Sequence, residues 1–431
     1  MESYRLPDLS QSQIEDLCQR NPIADTDIME TCREIFAAVA SRGDEALRYY
    51  TKEFDQVEVS EIRVPEEDFS RARSKVSPEV IAALERAAKN VGKFHAVQRI
   101  SEERIETDSG VFCWRESRPI ESVGLYVPGG NTVLPSTVLM LAIPAQLAGC
   151  SNIALCIPPR PDATVSPEVL VAAEIAGLTD VFMVGGAQAI AGMALGTETI
   201  PRADKVLGPG SRWVQTAKLL ATLNGTAIDL VAGPTEVLVI ADDSACVEWV
   251  CSDLIAQAEH GSDSQAVLVS TSESILEETA LRVYRRIEDL PRRIFAGESL
   301  EGSFALWVES LDSAFEFANL YAPEHLILHL ENAGDWVSRV KCAGSVFLGA
   351  WSPEVAGDYA SGTNHTLPTS GLARAFSGVS LDSFVKKITF QELTRSGFQS
   401  LAPTLDILAG AEGLEGHRRA VQVRLDGQEG I

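Results

Sequence analysis

From residue 123 the chain reads Val123-Gly124-Leu125-Tyr126-Val127-Pro128-Gly129-Gly130, an apolar run that ends in a proline and two glycines. A run of this length, bounded by turn residues, is typical of a strand that is buried on both faces. A segment with helical periodicity follows at 136–147, and a second apolar run lies at 153–157. This alternation predicts an α/β fold in which helices cover a sheet of parallel strands.

The same alternation continues toward the carboxyl end of the chain. Further strands are predicted at 181–184, 237–240, 266–269, 326–328 and 346–348. Further helices are predicted at 166–176, 187–195, 211–223 and 247–260, and an earlier helix at 77–95 has Ser77 as its N-cap. After Gly378 the sequence is polar and helical through residue 431, which predicts a small appended domain.

The charge balance limits the expected partners. The 431 residues include 36 Lys and Arg against 61 Asp and Glu, a formal net charge of −25. A field of this sign repels phosphate, so we expect neither nucleic acid nor an acidic membrane as a partner. No stretch reaches the roughly 18 consecutive apolar residues that span a bilayer, and no signal peptide is visible. The eight cysteines are scattered without metal-binding spacing, so a cytoplasmic protein with reduced thiols is expected.

Three glycine-rich turns follow predicted strands and lead into predicted helices. They are Pro128-Gly129-Gly130, Gly185-Gly186-Ala187-Gln188 and Gly208-Pro209-Gly210-Ser211. Free amides at the start of a helix can hold a phosphate, although such turns are also ordinary connections between a strand and a helix. The chain contains neither the usual dinucleotide fingerprint nor a P-loop, so both interpretations stay open.

Two side chains near the end of a predicted helix have the spacing of a metal-binding pair. Gln257 and His260 are three residues apart, so they share a helix face as two ligands, or His260 only caps the helix. Asp358 and His365 lie in the segment 349–369, a stretch without hydrophobic pattern that is typical of a functional loop. Together these side chains form a nitrogen and oxygen donor set that suits a borderline divalent metal. Because no cysteine is near, a catalytic or substrate-holding ion is favoured over a closed structural one.

Glu324 and His325 place a carboxylate and an imidazole side by side at the start of a predicted strand. Neighbours in a strand point to opposite faces, so both can serve one site only where the chain is irregular. Pro323 makes that irregularity plausible at this position.

Five motifs together resemble the histidinol dehydrogenase family, and the resemblance runs from about residue 27 to residue 425. The motifs are long and specific: Gly124-Leu125-Tyr126-Val127-Pro128-Gly129-Gly130, Val184-Gly185-Gly186-Ala187-Gln188-Ala189-Ile190, Gln257-Ala258-Glu259-His260-Gly261-Ser262-Asp263-Ser264-Gln265, Ala322-Pro323-Glu324-His325-Leu326 and Gly357-Asp358-Tyr359-Ala360-Ser361-Gly362-Thr363-Asn364-His365.

The resemblance implies an activity and a set of site residues. The family oxidises L-histidinol to L-histidine through L-histidinal in two NAD-dependent steps, and it carries one zinc ion in each active site. Carried over by motif, His325 is the general base and Glu324 activates water. The implied zinc ligands are Gln257, His260, Asp358 and His417, the implied substrate contacts are Thr235, Gln257, His260, His325, Asp358, His365, Glu412 and His417, and the implied NAD contacts are Tyr126, Gln188 and Ser211.

The resemblance also implies a fold and an assembly. The expected fold class is α/β, with two incomplete Rossmann-like α/β/α domains and small helical domains at both ends of the chain. The expected parts are a helical arm (1–26), a larger α/β domain with the metal and catalytic residues (27–125 with 237–379), an NAD-binding α/β domain (126–236) and a tail (380–431). The tail is expected to carry His417 into the site of a partner subunit, which makes the protein a homodimer with shared active sites.

Two positions depart from the family pattern. Thr235 stands where the family usually has serine, which keeps the hydroxyl group and adds a methyl group. Ser211 stands where the family usually has asparagine, so one hydrogen bond to the cofactor is lost or replaced by water. The loss of such a bond typically costs about 0.5–1.5 kcal/mol, which weakens NAD binding several-fold.

Three other functions fit parts of the pattern. A related enzyme for another primary alcohol, such as a sulfonated diol, is expected to differ in the pocket that contains Glu412 and His417. A zinc hydrolase that uses Glu324 as its base would work without NAD, and it leaves the three glycine turns unexplained. A dimeric binding protein without catalysis does not explain the intact pair of Glu324 and His325.

Overall fold

The computed structural model describes residues 1–20, 26–99, 102–129, 133–230 and 233–427. Gly130, the last residue of the first glycine-rich turn, lies outside the described residues. The chain forms two compact units: Met1–Gln98 with Ile120–Phe384, and Arg99–Pro119 with Val385–Ile431. The four-part division proposed from the sequence stays a prediction.

The strands and helices are named in chain order. The strands are β1 (Glu2–Arg5), β2 (Ile105–Asp108), β3 (Val111–Pro119), β4 (Ser122–Tyr126), β5 (Asn152–Ile157), β6 (Val181–Met183), β7 (Lys205–Leu207), β8 (Ala227–Ile228), β9 (Glu236–Ala241), β10 (Gln265–Ser270), β11 (Phe304–Trp307), β12 (His325–His329), β13 (Ser345–Leu348) and β14 (Val385–Leu393). The α-helices are α1 (Gln11–Cys18), α2 (Thr26–Arg42), α3 (Asp44–Tyr50), α4 (Glu66–Lys75), α5 (Pro78–Ala96), α6 (Pro135–Ala148), α7 (Pro167–Ile175), α8 (Gly186–Leu195), α9 (Arg212–Leu223), α10 (Val247–Ala258), α11 (Glu273–Ile287), α12 (Arg293–Glu301), α13 (Leu311–Tyr321), α14 (Glu354–Tyr359), α15 (Arg395–Ala411) and α16 (Glu415–Asp426).

The apolar run at residue 123 forms β4, the central strand of a five-stranded parallel sheet. The strand order is β6-β5-β4-β7-β8, so the chain moves outward in one direction and then returns to the other side of β4. This is the 3-2-1-4-5 part of the doubly wound order. Leu125 and Tyr126 belong to apolar clusters on opposite faces, which explains why the run is apolar at successive positions.

A six-stranded parallel sheet repeats the same topology later in the chain. Its order is β1-β11-β10-β9-β12-β13, and the strands from β9 to β13 again follow the 3-2-1-4-5 pattern. The amino-terminal strand β1 adds to the outer edge beside β11. Two incomplete Rossmann-like sheets, each with helices between its strands, confirm the predicted fold class.

The helix boundaries follow local sequence signals. Ser77 caps α5 by accepting a hydrogen bond from the amide of Val80, with Pro78 in the first turn as the sequence predicts. Ser166 and Ser211 are likewise the N-cap positions of α7 and α9.

The smaller unit contains a three-stranded antiparallel sheet and two helices. Its strand order is β14-β3-β2, and α15 and α16 follow β14. The expectation that the chain turns helical after Gly378 is therefore wrong for Val385–Leu393. This segment has no fully buried face, so it lacks the hydrophobic alternation that reveals a strand, and its partner β3 lies far away in sequence. Within the described ranges no helix combines the length and apolar character needed to cross a membrane.

Candidate active site

The candidate active site lies at the amino ends of β9 and β12, two neighbouring strands of the six-stranded sheet. In the parallel register His325 lies opposite Val237, so Thr235 and Glu236 are close to Glu324. Ligands of doubly wound sheets usually bind at the carboxyl ends of the strands where the order reverses. Here the reactive side chains lie at the opposite edge of that same pair of strands.

Glu324 is buried and is held by two hydrogen bonds. Its Oε2 atom accepts from the hydroxyl of Thr235 at 2.5 Å and from the amide of Glu236 at 3.1 Å. Burial raises the pKa of Glu324 well above its ordinary value, and the nearby carboxylates Glu236 and Asp358 raise it further. A carboxyl group with a raised pKa can take a proton from water and hold it.

His325 is 3% exposed, and its two ring nitrogens have different surroundings. Nδ1 lies 3.3 Å from the carbonyl oxygen of Glu236, which can only accept, so Nδ1 carries the proton. Nε2 is then left as an acceptor; it has no hydrogen-bond partner among the described residues and lies 3.7 Å from Oδ1 of Asp358. Burial lowers the pKa of His325 to about 3, so the ring is a neutral base.

The expected irregularity before β12 is present. Ala322, which ends α13, has a left-handed backbone with φ of 52°, and Pro323 follows it. Glu324 therefore precedes the first residue of the strand, and alternation along the strand does not separate it from His325. Both side chains contact the backbone of Glu236, one at its amide and the other at its carbonyl group.

Gln257 lies near the end of α10 and is fully buried. Neither atom of its side-chain amide has a hydrogen-bond partner in the part of the chain that the structure describes. A buried amide without partners costs free energy unless a ligand satisfies it. The side-chain oxygen of Gln257 can therefore coordinate a metal ion, or its amide group can form hydrogen bonds with a substrate.

Three other side chains could hold a metal ion together. One potential ligand atom from each of His260, Glu354 and Asp358 lies within 4.8 Å of the other two. His260 follows the end of α10, whereas both carboxylates lie on α14. Nitrogen and oxygen donors of this kind suit a divalent ion such as zinc, so the residues fit the implied metal.

Burial changes the pKa values in this cluster. It raises the pKa of Asp358 to about 6. The pKa of Glu354 lies well above its usual value because of burial and because of the neighbouring carboxylates Asp358, Glu324 and Asp253. Desolvation and the nearby charge of Arg292 lower the pKa of His260. A bound cation would relieve the repulsion between the carboxylates.

The interpretation of 349–369 as one long loop is corrected by α14. Asp358 lies on this short helix, and Glu354 lies four residues earlier on the same face. Glu354 was missed in the sequence, although the spacing of two carboxylates by four residues was a usable signal. It is 1% exposed, and its Oε1 atom lies 3.5 Å from Nδ1 of His325.

His365 lies beside the cluster with both ring nitrogens engaged. Nδ1 donates to the carbonyl oxygen of Asp358 at 2.9 Å, and Nε2 lies 2.9 Å from the hydroxyl of Thr137, which donates to it. Burial lowers the pKa of His365 to about 4, which agrees with a neutral ring. Thr137 belongs to α6, so this bond connects the candidate site to a helix of the five-stranded sheet.

The three side chains predicted near a nucleotide lie around the carboxyl edge of the five-stranded sheet. The hydroxyl of Tyr126 accepts from the amide of Gly186 at 3.0 Å. Gly186, Gln188 and Ser211 line a cavity of about 280 Å³, and Oε1 of the buried Gln188 has no partner among the described atoms. Ser211 makes no capping bond with its side chain. This edge of a doubly wound sheet is where nucleotides usually bind, so the residues fit a dinucleotide.

Asp55 is a second residue that the sequence analysis missed. It lines the same cavity and an adjoining cavity of about 430 Å³ that includes Pro128 and Gly129. Its Oδ2 atom is buried without a partner in the described ranges, and burial raises the pKa of Asp55 to about 6. No pattern in the sequence around Asp55 pointed to this location.

Glu412 and His417 belong to the smaller unit. Glu412 ends α15, and His417 lies in the first turn of α16. Both are exposed within that unit. Their assignment to the same site as His260 stays a prediction.

The chain was compared with known proteins. The family model described as histidinol dehydrogenase matches residues 18–425. The histidinol dehydrogenase of Bacteroides thetaiotaomicron is 47% identical over 417 residues, which cover 97% of each chain. The chloroplastic histidinol dehydrogenase of Arabidopsis thaliana is 46% identical over 435 residues, with 99% of this chain and 91% of the other covered. The crystal structure of histidinol dehydrogenase from Elizabethkingia anophelis matches with a TM-score of 0.96 and 48% identity, and covers 99% of this chain and 98% of that one.

Proposed function

The chain belongs to the histidinol dehydrogenase family, and on that premise we propose that it oxidises L-histidinol to L-histidine through L-histidinal with NAD and zinc. One observation carries the proposal: among the described residues Nε2 of His325 has no hydrogen-bond partner, and it lies 3.7 Å from Asp358, a member of a cluster that can bind a metal. A neutral base beside a metal site suits the removal of a proton from the hydroxyl group of a substrate that the metal holds by its nitrogens.

Gln257, His260 and Asp358 are the ligands that we propose for zinc in the larger unit, and the resemblance adds His417. The side-chain amide of Gln257, which has no partner in the described part of the chain, supports this assignment, as does the proximity of His260 and Asp358. When bound, zinc supplies a Lewis acid that orients the substrate nitrogens, and it has no redox role. The raised pKa of Asp358 supports the need for a cation at this position.

His325 removes the proton from the substrate hydroxyl in the first oxidation. The proton moves to Nε2 while Nδ1–H stays bonded to the carbonyl oxygen of Glu236. NAD, when bound, accepts the hydride that leaves the same substrate carbon. The carbon–oxygen bond thereby becomes the carbonyl group of L-histidinal.

Glu324 acts on the aldehyde in the second oxidation. Its carboxylate takes a proton from water, and the oxygen of that water adds to the aldehyde carbon. The protonated ring of His325 returns its proton to the former carbonyl oxygen, which completes the hydrate and leaves His325 neutral again. Thr235 and the amide of Glu236 hold Glu324 for this step. His325 then removes a proton from the hydrate as a second hydride leaves for NAD. The product is the carboxylic acid of L-histidine, which loses its proton to solvent and becomes the carboxylate.

The acidic character of the site supports a cationic substrate. Glu324, Glu354 and Asp358 are buried next to one another, and the whole chain carries a formal charge of −25. L-Histidinol has an ammonium group, so these charges attract it to the site. NAD is an anion, and we propose that the amides around Gly186 receive its pyrophosphate locally.

We further propose that the protein is a homodimer with shared active sites. The resemblance supports this assembly, because it implies that the tail carrying His417 completes the zinc site of a partner subunit. Glu412 lies close to His417 in sequence and is proposed to contact the substrate.

The test is a measurement of NADH formed from L-histidinol and NAD by the purified protein. Two NADH for each histidine formed supports the proposal, and a chelator should abolish the activity in a way that added zinc reverses. One NADH with release of the aldehyde contradicts the two-step reaction. Turnover of a sulfonated diol but not of L-histidinol would assign the chain to a different substrate.

A further inference from the structure

Glu324 and His325 are both held by the backbone of Glu236, the first residue of β9. The amide of Glu236 donates to Oε2 of Glu324 at 3.1 Å, and its carbonyl oxygen accepts from Nδ1 of His325 at 3.3 Å. A shift of this single residue therefore moves both catalytic side chains together. What holds Glu236 in place thus affects the geometry of the reaction.

The side chain of Glu236 is part of a buried ion pair. Its Oε1 atom lies 3.1 Å from Nη2 of Arg20, and the two side chains are 2% and 10% exposed respectively. The amide of Ser370 donates to both carboxylate oxygens, at 3.0 and 3.1 Å. Removal of one partner from a buried pair leaves an uncompensated charge, so the partner that remains must move or change its protonation.

Besides its ion pair with Glu236, Arg20 is held by hydrogen bonds to two carbonyl groups and by contact with an aromatic ring. Nη1 donates to the carbonyl oxygens of Cys18 and Tyr321, at 2.7 and 2.8 Å. The guanidinium lies over the ring of Tyr321, with 3.4 Å from its central carbon to the ring centroid. Tyr321 is fully buried, and its hydroxyl donates to Oε1 of Gln265 at 2.6 Å. Because the guanidinium contacts both Tyr321 and Glu236, the packed ring of Tyr321 fixes where the guanidinium holds Glu236.

We propose that Arg20 is a positioning residue for Glu324 and His325, and that it acts through Glu236. The proposal rests on the proposed function for the reaction that these side chains perform, but its structural part does not depend on the substrate. It assigns a role in catalysis to the segment before α2, which none of the family motifs covers.

The first experiment compares Arg20→Met with Arg20→Lys. The methionine keeps apolar contact with Tyr321 but removes the charge, whereas the lysine restores a charge near Glu236. We expect Arg20→Met to lower kcat about 10- to 100-fold, because small displacements of catalytic groups have effects of this size. The KM for NAD and the zinc content should stay unchanged, since Arg20 touches neither site. Arg20→Lys should recover part of kcat.

Arg5→Met is the matched control. Arg5 belongs to the same amino-terminal segment, lies over the ring of Trp307 at 4.0 Å and pairs with Glu273, but its side chain is 48% exposed. This variant should keep the wild-type kcat. An equal loss of kcat in Arg5→Met and Arg20→Met would overturn the proposal, because it would reveal a general effect of the segment.

A double-mutant cycle tests whether Arg20 acts through Glu236. We expect Glu236→Gln to lower kcat, and we expect the double variant with Arg20→Met to lose no more than the worse single variant. Additive losses in kcat would overturn the proposal, since they would mean that Arg20 affects catalysis independently of Glu236.

A spectroscopic measurement separates this proposal from the proposed function. In protein labelled with ¹⁵N-histidine, the signal of His325 is identified by its absence in His325→Gln. Wild-type protein and Arg5→Met should have His325 protonated at Nδ1, whereas Arg20→Met should populate the other tautomer. Absence of turnover with L-histidinol would contradict the proposed function alone, while an unchanged His325 signal in both Arg20 variants would contradict the positioning role.

Discussion

Burial shifts the pKa values of Glu324 and His325 in opposite directions, so the ring of His325 stays unprotonated whereas the carboxyl group of Glu324 holds a proton more tightly. The pKa of His325 falls to about 3, so its ring stays neutral, while the pKa of Glu324 rises, so its carboxylate becomes a stronger base. Hydrogen bonds then decide which atoms can react. The carbonyl oxygen of Glu236 accepts from Nδ1 of His325, which leaves Nε2 as the basic atom, and the hydroxyl of Thr235 orients Glu324. The chemistry at this scale depends on which polar atoms keep a partner and which do not.

The lowered pKa of His325 predicts a pH-dependent loss of stability. In the unfolded chain the imidazole has a pKa near 6.5, so the unfolded state binds more protons than the folded state between pH values of about 3 and 6.5. The contribution of His325 therefore falls as the pH falls. The comparison uses metal-free wild-type protein and metal-free His325→Gln. Between pH ~7 and pH ~5, the free energy of unfolding of wild type should fall by about 1–2 kcal/mol more than that of the variant. Urea unfolding at both pH values measures it, and a constant difference would contradict the buried, neutral ring.

Glu324→Gln should separate the two oxidations. The amide keeps the shape of the carboxyl group but cannot take a proton from water, so oxidation of L-histidinal should slow by about 10²- to 10⁴-fold. Oxidation of L-histidinol should change much less, and NADH per substrate should fall from two toward one. Thr235→Ser is the matched control, because it keeps the hydroxyl that orients Glu324. Equal losses in both steps would contradict the role given to Glu324.

Two short elements decide what the candidate sites can bind. The end of α10 brings Gln257 and His260 together, and α14 places Glu354 and Asp358 on one face. At the other sheet, the turn between β7 and α9 contains Gly208, whose φ of 132° is rare for other residues. A Cβ atom there would lie 2.1 Å from the carbonyl oxygen of Tyr126. The turn thus requires glycine for its close approach to β4.

We therefore expect Gly208→Ala to distort the proposed nucleotide site, and Gly149→Ala to leave it intact. The turn is also held by Asp229, which accepts from the amide of Gly208 at 2.7 Å, and by Lys218, which donates to its carbonyl oxygen at 3.0 Å. We expect a loss of about 1–3 kcal/mol in free energy of unfolding from backbone strain, together with weaker NAD binding. Gly149→Ala is the control, because Gly149 has a φ of 89° but no atom near its Cβ position. That variant should bind NAD normally in a fluorescence titration, and normal binding by Gly208→Ala would contradict the prediction.

The two parallel sheets share the 3-2-1-4-5 strand order, but their candidate site residues lie at opposite ends of the strands. The proposed nucleotide residues lie at the carboxyl ends of β4, β6 and β7 or in the turns and helix that follow them, whereas Glu324 lies just before β12 and His325 begins it, beside the amino end of β9. Loop residues of one sheet reach a helix of the other, as the bond between His365 and Thr137 illustrates. In the proposed function, this difference would let one chain bring the proposed NAD site and the proposed zinc site to a common substrate.

The proposed homodimer predicts that two inactive variants restore activity together. His325→Gln and His417→Ala should each be inactive alone as homodimers. If His417 completes the site of the partner, a mixed dimer has one site with both changes and one intact site, so random mixing should restore about a quarter of the wild-type activity. Co-expression with two affinity tags and an NADH assay measures this. Mixtures without activity, or a His417→Ala homodimer that keeps zinc and activity, would contradict shared sites.

Much of the fold was predictable because its signals are local. The apolar run at residue 123, the Ser77 cap and the helices between strands depend on neighbours a few residues away, and the structure confirms them. Seven strands were not predicted: β1, β2, β3, β7, β8, β11 and β14. Of these, β1 and β14 have no fully buried residue and pair with distant segments, so the local sequence gives no signal for them. Glu354 was missed because the segment around it has no hydrophobic periodicity.

By itself the sequence determined the alternation of strands and helices, the family and the candidate residues, since these depend on spacing along the chain. Only the tertiary structure decided that Glu236 holds both Glu324 and His325, and that Arg20 holds Glu236. It also decided which atoms of Gln257 and His325 have no partner among the described residues, and in which direction the pKa values of Glu324 and His325 move. The physical reason is that burial, charge pairing and hydrogen bonding depend on distances between residues that are far apart in the chain.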